Sequence, residues 1–113
     1  MPTEKNNSEI DQFLPLRPVE FLVLAVLHDE ELHGYGIVQQ IAKRTNERIQ
    51  VKPGNLYRVL DRLMDRGLLD EADDKRAAQP TEERRRYYRI TDLGRAVARA
   101  EATLFGEIAA ELR

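Results

Sequence analysis

Apolar residues recur at helical spacing in four stretches of the chain, and each stretch predicts a helix. The first begins at Pro18, since a proline is tolerated in an opening turn, and runs to about His28. Its residues are apolar on nearly every side, which is typical of a helix that is covered all round. In a chain of 113 residues, we expect part of that cover to come from a second copy.

The second and third helices each place their apolar residues on one face. The second begins near His33, and the third has Pro53 in its first turn and ends at Gly67. Between them, Ile49 and Val51 indicate a brief strand. The face of the third helix that lies opposite its leucines carries polar, charged and aromatic side chains: Asn55, Tyr57, Arg58, Asp61 and Arg62.

After the third helix, the pattern changes from helical spacing to alternation, which predicts strands. Residues 68–72 and 85–90 are expected to pair as antiparallel strands across a polar loop that contains Pro80. Thr91 is then the expected cap of a last helix that continues to the end of the sequence. Apolar residues cover about half of its circumference, more than packing on one small domain requires. This helix should therefore also contact a second copy.

Together, these elements predict a mainly α fold of winged helix-turn-helix type. It comprises three helices and a two-stranded wing, followed by one C-terminal dimerisation helix. We expect a flexible arm at 1–12, the winged DNA-binding domain at 13–90 and the dimerisation helix at 91–113. The apolar residues predicted to form a homodimer interface are Phe21, Leu24, Val97, Leu104, Phe105, Ile108 and Leu112.

The distribution of charge favours a polyanionic partner, although the net charge of the chain is −2. Lysine and arginine outnumber aspartate and glutamate between residues 43 and 89, whereas the rest of the chain is acidic. In a winged fold the third helix enters the major groove of DNA, and the wing contacts phosphates or the minor groove. The residues predicted to bind double-stranded DNA are Lys52, Gly54, Asn55, Tyr57, Arg58, Arg62, Lys75, Arg76, Arg84, Arg85 and Arg86.

Composition excludes several classes of protein. The chain has no cysteine, so disulfides and thiolate metal sites are excluded. Its first residues lack the basic and apolar regions of a signal peptide. The longest apolar run, 21–27, is far shorter than the roughly 20 residues that cross a membrane. We expect a soluble, cytoplasmic protein with no membrane partner.

No arrangement of residues predicts catalysis. The two histidines, His28 and His33, are five residues apart, which is not a spacing of metal ligands on one helical face. His33 is instead expected to form a bond at a helix start. The only serine, Ser8, lies in the predicted arm, which excludes a serine triad. We therefore expect neither an enzyme nor a bound cofactor or metal.

Three blocks of the sequence resemble the PadR family of bacterial transcriptional regulators. They are LHGYGI at 32–37, PGNLYRVLDRLMDRGLL at 53–69 and RRYYRITDLG at 85–94, and the resemblance extends over about residues 15–113. It implies a homodimeric winged-helix repressor of an inverted-repeat operator, with Asn55, Tyr57 and Arg58 on the reading helix. The single helix after the wing is similar to that of the short family members, in which it forms the dimer.

Two differences from the family concern the site. Lys52 stands where the family often has a small hydroxyl residue, which loses ~1 kcal/mol of capping but places a cation near the phosphates. Short members that bind planar drugs use aromatic residues, often tryptophan, at the dimer centre. This chain has no tryptophan, and Phe105, the only aromatic residue of its last helix, is better explained as a packing residue. The sequence is compatible with a small-molecule effector at the dimer interface and equally with none.

The main alternative to DNA binding is a winged helix that binds proteins, because a fold alone does not determine function. A protein-binding surface would carry apolar anchors. The outer face of the third helix carries arginine, asparagine and tyrosine instead, which favours DNA.

Overall fold

Four main helices and a small antiparallel sheet make up the fold of the residues that the structure describes. A computed structural model of the chain describes residues 9–72 and 86–113. The elements follow one another as α1 (Pro18–Val26), β1 (Leu32–His33), α2 (Gly34–Arg44), α3 (Pro53–Asp65), β2 (Leu69–Ala72), β3 (Tyr87–Ile90) and α4 (Asp92–Ala110). The predicted mainly α architecture, with three helices, a wing and one further helix, is confirmed.

Side chains cap the starts of two helices in the way that the sequence indicates. The Gly36 backbone N–H donates to Nδ1 of His33 at 3.1 Å, so His33 caps α2 as expected. The Gly94 backbone N–H donates to the Thr91 hydroxyl at 2.9 Å, which confirms Thr91 as the cap of α4. Lys52 precedes α3 and makes no capping bond through its side chain.

The connection between α2 and α3 differs from the expectation of a brief strand at Ile49 and Val51. The structure describes all of 45–52, and none of these residues is in a strand. Instead, the Thr45 hydroxyl accepts a hydrogen bond from the backbone N–H of Ile49 at 3.1 Å. Asn46 adopts a positive φ of 53°, which also turns the chain. The strand prediction was wrong because the two apolar residues pack from a loop, and the turn before them leaves no partner strand alongside.

Three strands rather than two form the sheet, in the order β1–β3–β2. The predicted antiparallel pairing is confirmed, with Leu69 opposite Ile90 and Ala72 opposite Tyr87. The polar loop expected between the two strands lies outside the described residues. The added strand β1 pairs His33 with Tyr87, and the two rings meet edge to face at 5.4 Å. Tyr87 is therefore buried, whereas Arg89 of the same strand is exposed.

Most of the described chain packs around a single core. Leu24 and Val97 are fully buried within it, near the end of α1 and in the first half of α4. They were predicted to contact a second copy, but the single chain already covers them, and the interface prediction does not hold for these two residues. Apolar pattern alone cannot tell whether a neighbouring element or another copy covers a helix face.

The segment before α1 is attached to the body. Residues 9–11 are helical, and Ile10 packs against the core, so these positions of the predicted arm are ordered. The buried carboxylate of Glu101 accepts a hydrogen bond from the Leu16 backbone N–H at 3.0 Å. Since this bond satisfies a buried carboxylate, it fixes the segment to the middle of α4. Residues 1–8 lie outside the described residues.

Thr91 connects three elements at one point. Its hydroxyl donates to the carbonyl of Gly67 at 2.7 Å, and its backbone N–H donates to the carbonyl of Leu68 at 3.1 Å. Gly67 ends α3 with a φ of +78°, a conformation that favours glycine and confirms the predicted stop. Together with its capping bond to Gly94, Thr91 joins the end of α3 and the start of β2 to the start of α4.

Within residues 9–72 and 86–113, no helix is long and apolar enough to span a membrane. No three acidic or histidine side chains of these residues are grouped so that they could hold a metal ion.

Candidate DNA-binding surface

The outer face of α3 is open to solvent. Asn55, Tyr57 and Arg58 are exposed, while the leucines of the opposite face are buried in the core. Lys52 and Gly54, at the helix start, are also exposed, and a Cβ added to Gly54 would have no atom within 4 Å. The start of α3 is therefore unobstructed, as an approach by a phosphate would require.

Tyr57 rests on the start of α2. A Cβ added to Gly34 would lie only 2.8 Å from the Tyr57 hydroxyl oxygen, so this position must stay small for the ring to keep its place. The Tyr57 side chain is still 46% exposed. It therefore links the two helices of the helix-turn-helix and presents half of its surface outward. The sequence singled out Tyr57 but not Gly34, because the contact joins residues that are distant in the chain.

Tyr35 is a further exposed aromatic residue that the sequence-based prediction did not include. It follows Gly34 in α2 and stacks on the His33 ring, with centroids 6.4 Å apart and planes nearly parallel. It lies on the same helix start that Tyr57 contacts. The available indication was that Tyr35 lies in the LHGYGI block, which resembles the PadR family.

Arg62 differs from the other residues predicted on α3, because it turns towards α1. Its Nε lies 3.4 Å from Oε2 of Glu20, whose side chain is only 4% exposed. Arg66 approaches the same oxygen at 3.8 Å, and the Arg17 backbone N–H donates to the other oxygen at 2.8 Å. Arg62 is thus an ion-pair partner of a buried carboxylate, and the prediction that it belongs to the DNA-binding residues of α3 does not hold. The indication in the sequence was a lone glutamate within an apolar helix, since a buried charge needs a partner.

Replacing Arg62 with alanine should lower the free energy of unfolding by roughly 1 to 2 kcal/mol. Breaking a fully buried pair typically costs more, but the Arg62 side chain is 42% exposed and Arg66 remains beside Glu20. Urea denaturation followed by circular dichroism measures the change. An Arg62→Ala variant with unchanged stability would show that Glu20 does not depend on this arginine.

Replacing Arg58 with alanine should lower DNA affinity and leave the stability of the fold nearly unchanged. Its side chain is exposed on the outer face of α3, so the melting temperature should stay within about 3 °C, because surface substitutions rarely change stability by more than about 0.5 kcal/mol. Operator affinity should fall roughly 10- to 100-fold, the usual effect of losing a base-reading arginine. Anisotropy titration and thermal melting of the same preparation check both. A large loss of stability would mean that Arg58 supports the fold.

The described part of the wing presents one predicted residue, Arg86. Its Nε donates to Oε1 of Glu71 at 2.8 Å, and a terminal nitrogen donates to Oε2 at 3.1 Å. The guanidinium also lies 5.9 Å from the centre of the Tyr88 ring. Four further predicted wing residues lie outside the described residues: Lys75, Arg76, Arg84 and Arg85.

The wing lies beside α3, because β2 packs against that helix. The hydrogen bond from Arg86 lowers the pKa of the Glu71 carboxyl. The same bond is the main cause of a raised pKa at Arg86, and the Asp61 carboxylate on α3 adds to it. Burial raises the pKa of the Tyr88 hydroxyl, and Tyr57 on α3 contributes. Side chains of α3 therefore act on Arg86 and Tyr88 of the wing.

The second half of α4 is exposed and apolar on one side. Leu104 and Ile108 lie one turn apart on α4, with Phe105 beside them and Leu112 just beyond the helix end, and all four are exposed. Phe21 of α1, also predicted at the interface, is half-buried. A groove of about 510 Å³ runs next to Leu104, between α4 and the segment before α1. Five of the seven predicted interface residues thus keep surface for a partner.

Known proteins match this chain in sequence and in fold. The model of the family described as "Transcriptional regulator PadR-like family" matches residues 23–100. An uncharacterized protein of Lysinibacillus sphaericus is 32% identical over 83 residues, which cover 69% of each chain.

Two solved structures extend the comparison. A transcriptional regulator from Clostridium thermocellum superposes with a TM-score of 0.69 at 26% identity, over 83% of this chain and 84% of that one. Bacillus subtilis PadR, solved in complex with operator DNA, superposes with a TM-score of 0.65 at 24% identity. The match covers 76% of this chain and 47% of that one. The winged helix, the exposed outer face of α3 and these matches lead to one assignment: the chain belongs to the PadR-like family of transcriptional regulators.

Proposed function

We propose that this chain is a cytoplasmic, homodimeric repressor that binds an inverted-repeat operator through α3 and the wing. The observation that carries the proposal is the division of α3 into two faces. Its leucines hold it against the core, while Asn55, Tyr57 and Arg58 are exposed next to the wing. A rigid helix with an exposed polar face is what reading the major groove requires.

The chemistry of these side chains suits base edges and phosphates. Asn55 can bond an adenine in bidentate fashion, and Arg58 can do the same with a guanine. Tyr57 can contact a thymine methyl group or donate its hydroxyl to a phosphate. Lys52 before α3 and Arg86 on the wing are exposed and can supply cations to phosphates. Bacillus subtilis PadR, of similar fold, is known in complex with operator DNA, which supports the same partner for this chain.

The dimer is proposed from the exposed apolar side of α4. Leu104, Phe105 and Ile108 cover no part of their own core, and clusters of exposed apolar side chains commonly mark interfaces. A two-fold contact between two α4 helices would present two α3 helices to a DNA site of matching symmetry. A planar effector, where one binds, would contact Phe105 at this interface.

The first experiment is fluorescence anisotropy with DNA from upstream of the protein's own gene and with a shuffled copy, at several salt concentrations. Binding to the native fragment that persists as salt rises supports a sequence-specific regulator. Equal binding to both that disappears at modest salt indicates only a charged surface. In that case, a winged helix that binds proteins becomes the better account. In vitro transcription from the bound fragment then tests repression, which should lower the transcript.

A further inference from the structure

We propose that Glu71 competes with DNA phosphates for Arg86, so that the wing carries a built-in restraint on its affinity for any DNA. The inference rests on the proposed DNA-binding function and concerns how strongly the wing contributes to it. The contact is autoinhibitory, because the guanidinium that would bind a phosphate is already bound to a carboxylate of the same chain.

The geometry of the pair imitates phosphate recognition. Two nitrogens of Arg86 donate to the two oxygens of Glu71 at 2.8 and 3.1 Å, a bidentate arrangement. Arginine binds phosphate oxygens through the same paired donors. A phosphate and the Glu71 carboxylate therefore cannot both occupy this edge of Arg86.

The Arg86–Glu71 pair is exposed to solvent, so a DNA phosphate can reach Arg86 and replace Glu71. The side chains of Arg86 and Glu71 are 56% and 46% exposed, and exposed ion pairs of this kind are weakly held. DNA can open the pair, but the interaction energy of the pair is then lost. Glu71 is fixed on β2 opposite Tyr88 of β3, so only its side chain can turn away. The cost of opening the pair is the restraint, and it exists only while Arg86 is present.

The restraint should act equally on all sequences, because phosphates carry no sequence information. Glu71 would thus lower the affinity for operator and for unrelated DNA by a similar factor, leaving discrimination to α3. Bases contacted by Asn55 and Arg58 then account for a larger share of the total binding.

A neighbouring pair provides a matched control. Asp70 and Arg89 face each other across β2 and β3 with a single approach of 4.0 Å, and adjacent strand residues point to opposite faces. Asp70→Asn removes the same charge as Glu71→Gln without freeing Arg86. Comparing the two separates direct competition from a general change in charge.

The experiment compares wild type, Glu71→Gln, Asp70→Asn, Arg86→Gln and the Glu71→Gln/Arg86→Gln double variant. Each is titrated against operator and shuffled DNA at several salt concentrations, and each is eluted from heparin, a polyanion without bases. Glu71→Gln should tighten binding to both DNAs on the order of 3- to 5-fold, the range typical of one exposed charge pair. Its salt slope should steepen by about 0.9, and it should elute from heparin at higher salt. The Glu71→Gln change should have no effect once Arg86 is replaced.

Three results would overturn the inference while wild type still binds DNA: unchanged affinity in Glu71→Gln, an equal gain in Asp70→Asn, or a gain that persists without Arg86. Weaker binding by Glu71→Gln would also overturn it, since Glu71 would then hold Arg86 in place for DNA. Wild-type protein that binds neither DNA overturns the proposed function and this inference with it. Thermal melting of every variant confirms that the fold is intact.

Discussion

Replacing Gly94 with alanine is expected to lower the free energy of unfolding by about 3 kcal/mol, at the upper end of the cost of overpacking. A Cβ at this position would overlap the carbonyl oxygen of Leu68 and lie 2.8 Å from Cγ1 of Ile90. The carbonyl cannot easily move, because it accepts the backbone N–H of Thr91 at 3.1 Å. Urea denaturation at a fixed protein concentration measures the loss.

Gly106 offers a control within the same helix. A Cβ there would meet no atom within 4 Å, and helical geometry puts the residue on the other side of α4 from Leu104 and Ile108. Gly106→Ala should raise the free energy of unfolding by about 0.5 to 1 kcal/mol, because alanine is the better helix former. If the two variants were equally stable, the close approach of α4 to the start of β2 would be incorrect.

The second large effect is expected from Leu104→Asp, which should raise the dimer dissociation constant on the order of 100-fold or more. An aspartate in an apolar interface would be an unpaired buried charge. Light scattering during size-exclusion chromatography, over a range of concentrations, should show a monomer. Operator affinity should fall with it, because one copy can occupy only half of a two-fold site.

Ala110→Asp is the matched control for the dimer. It introduces the same charge near the end of α4, at an exposed position directed away from Ile108. This variant should remain dimeric. A dimer that survives Leu104→Asp would move the interface to another face, and a monomer in both variants would point to a general effect of charge on α4.

Local pattern accounted for most of the fold. The proline at the start of α3, the glycine after it and the threonine before α4 are decided by the backbone geometry of one turn. The spacing of apolar residues identified the buried and exposed faces of α3, and their alternation identified the pairing of β2 with β3. These features need no knowledge of what lies across the core.

The contacts that the sequence did not reveal are between residues that lie far apart in the chain. The strand β1 has two residues and forms only because β3 runs beside it. The pairing of Arg62 with Glu20 depends on how α3 crosses α1, and the fit of Tyr57 on Gly34 depends on how α3 crosses α2. On the sequence, Arg62 and Arg58 look equivalent, one turn apart on one face. Only the neighbouring helix separates a structural arginine from one available for DNA.

The contacts of Thr91 have a consequence for operator recognition, because they concern the spacing of half-sites separately from the preference for bases. Because its hydroxyl binds the carbonyl of Gly67 and caps α4, the helices α3 and α4 are tied to one another at this point. If two copies associate through α4, the distance between their reading helices is set at that contact, and with it the spacing of half-sites that the dimer accepts. Substitutions on α3 would change the bases that are preferred within each half-site. Spacing and base preference could then evolve separately, through different helices of the same small chain.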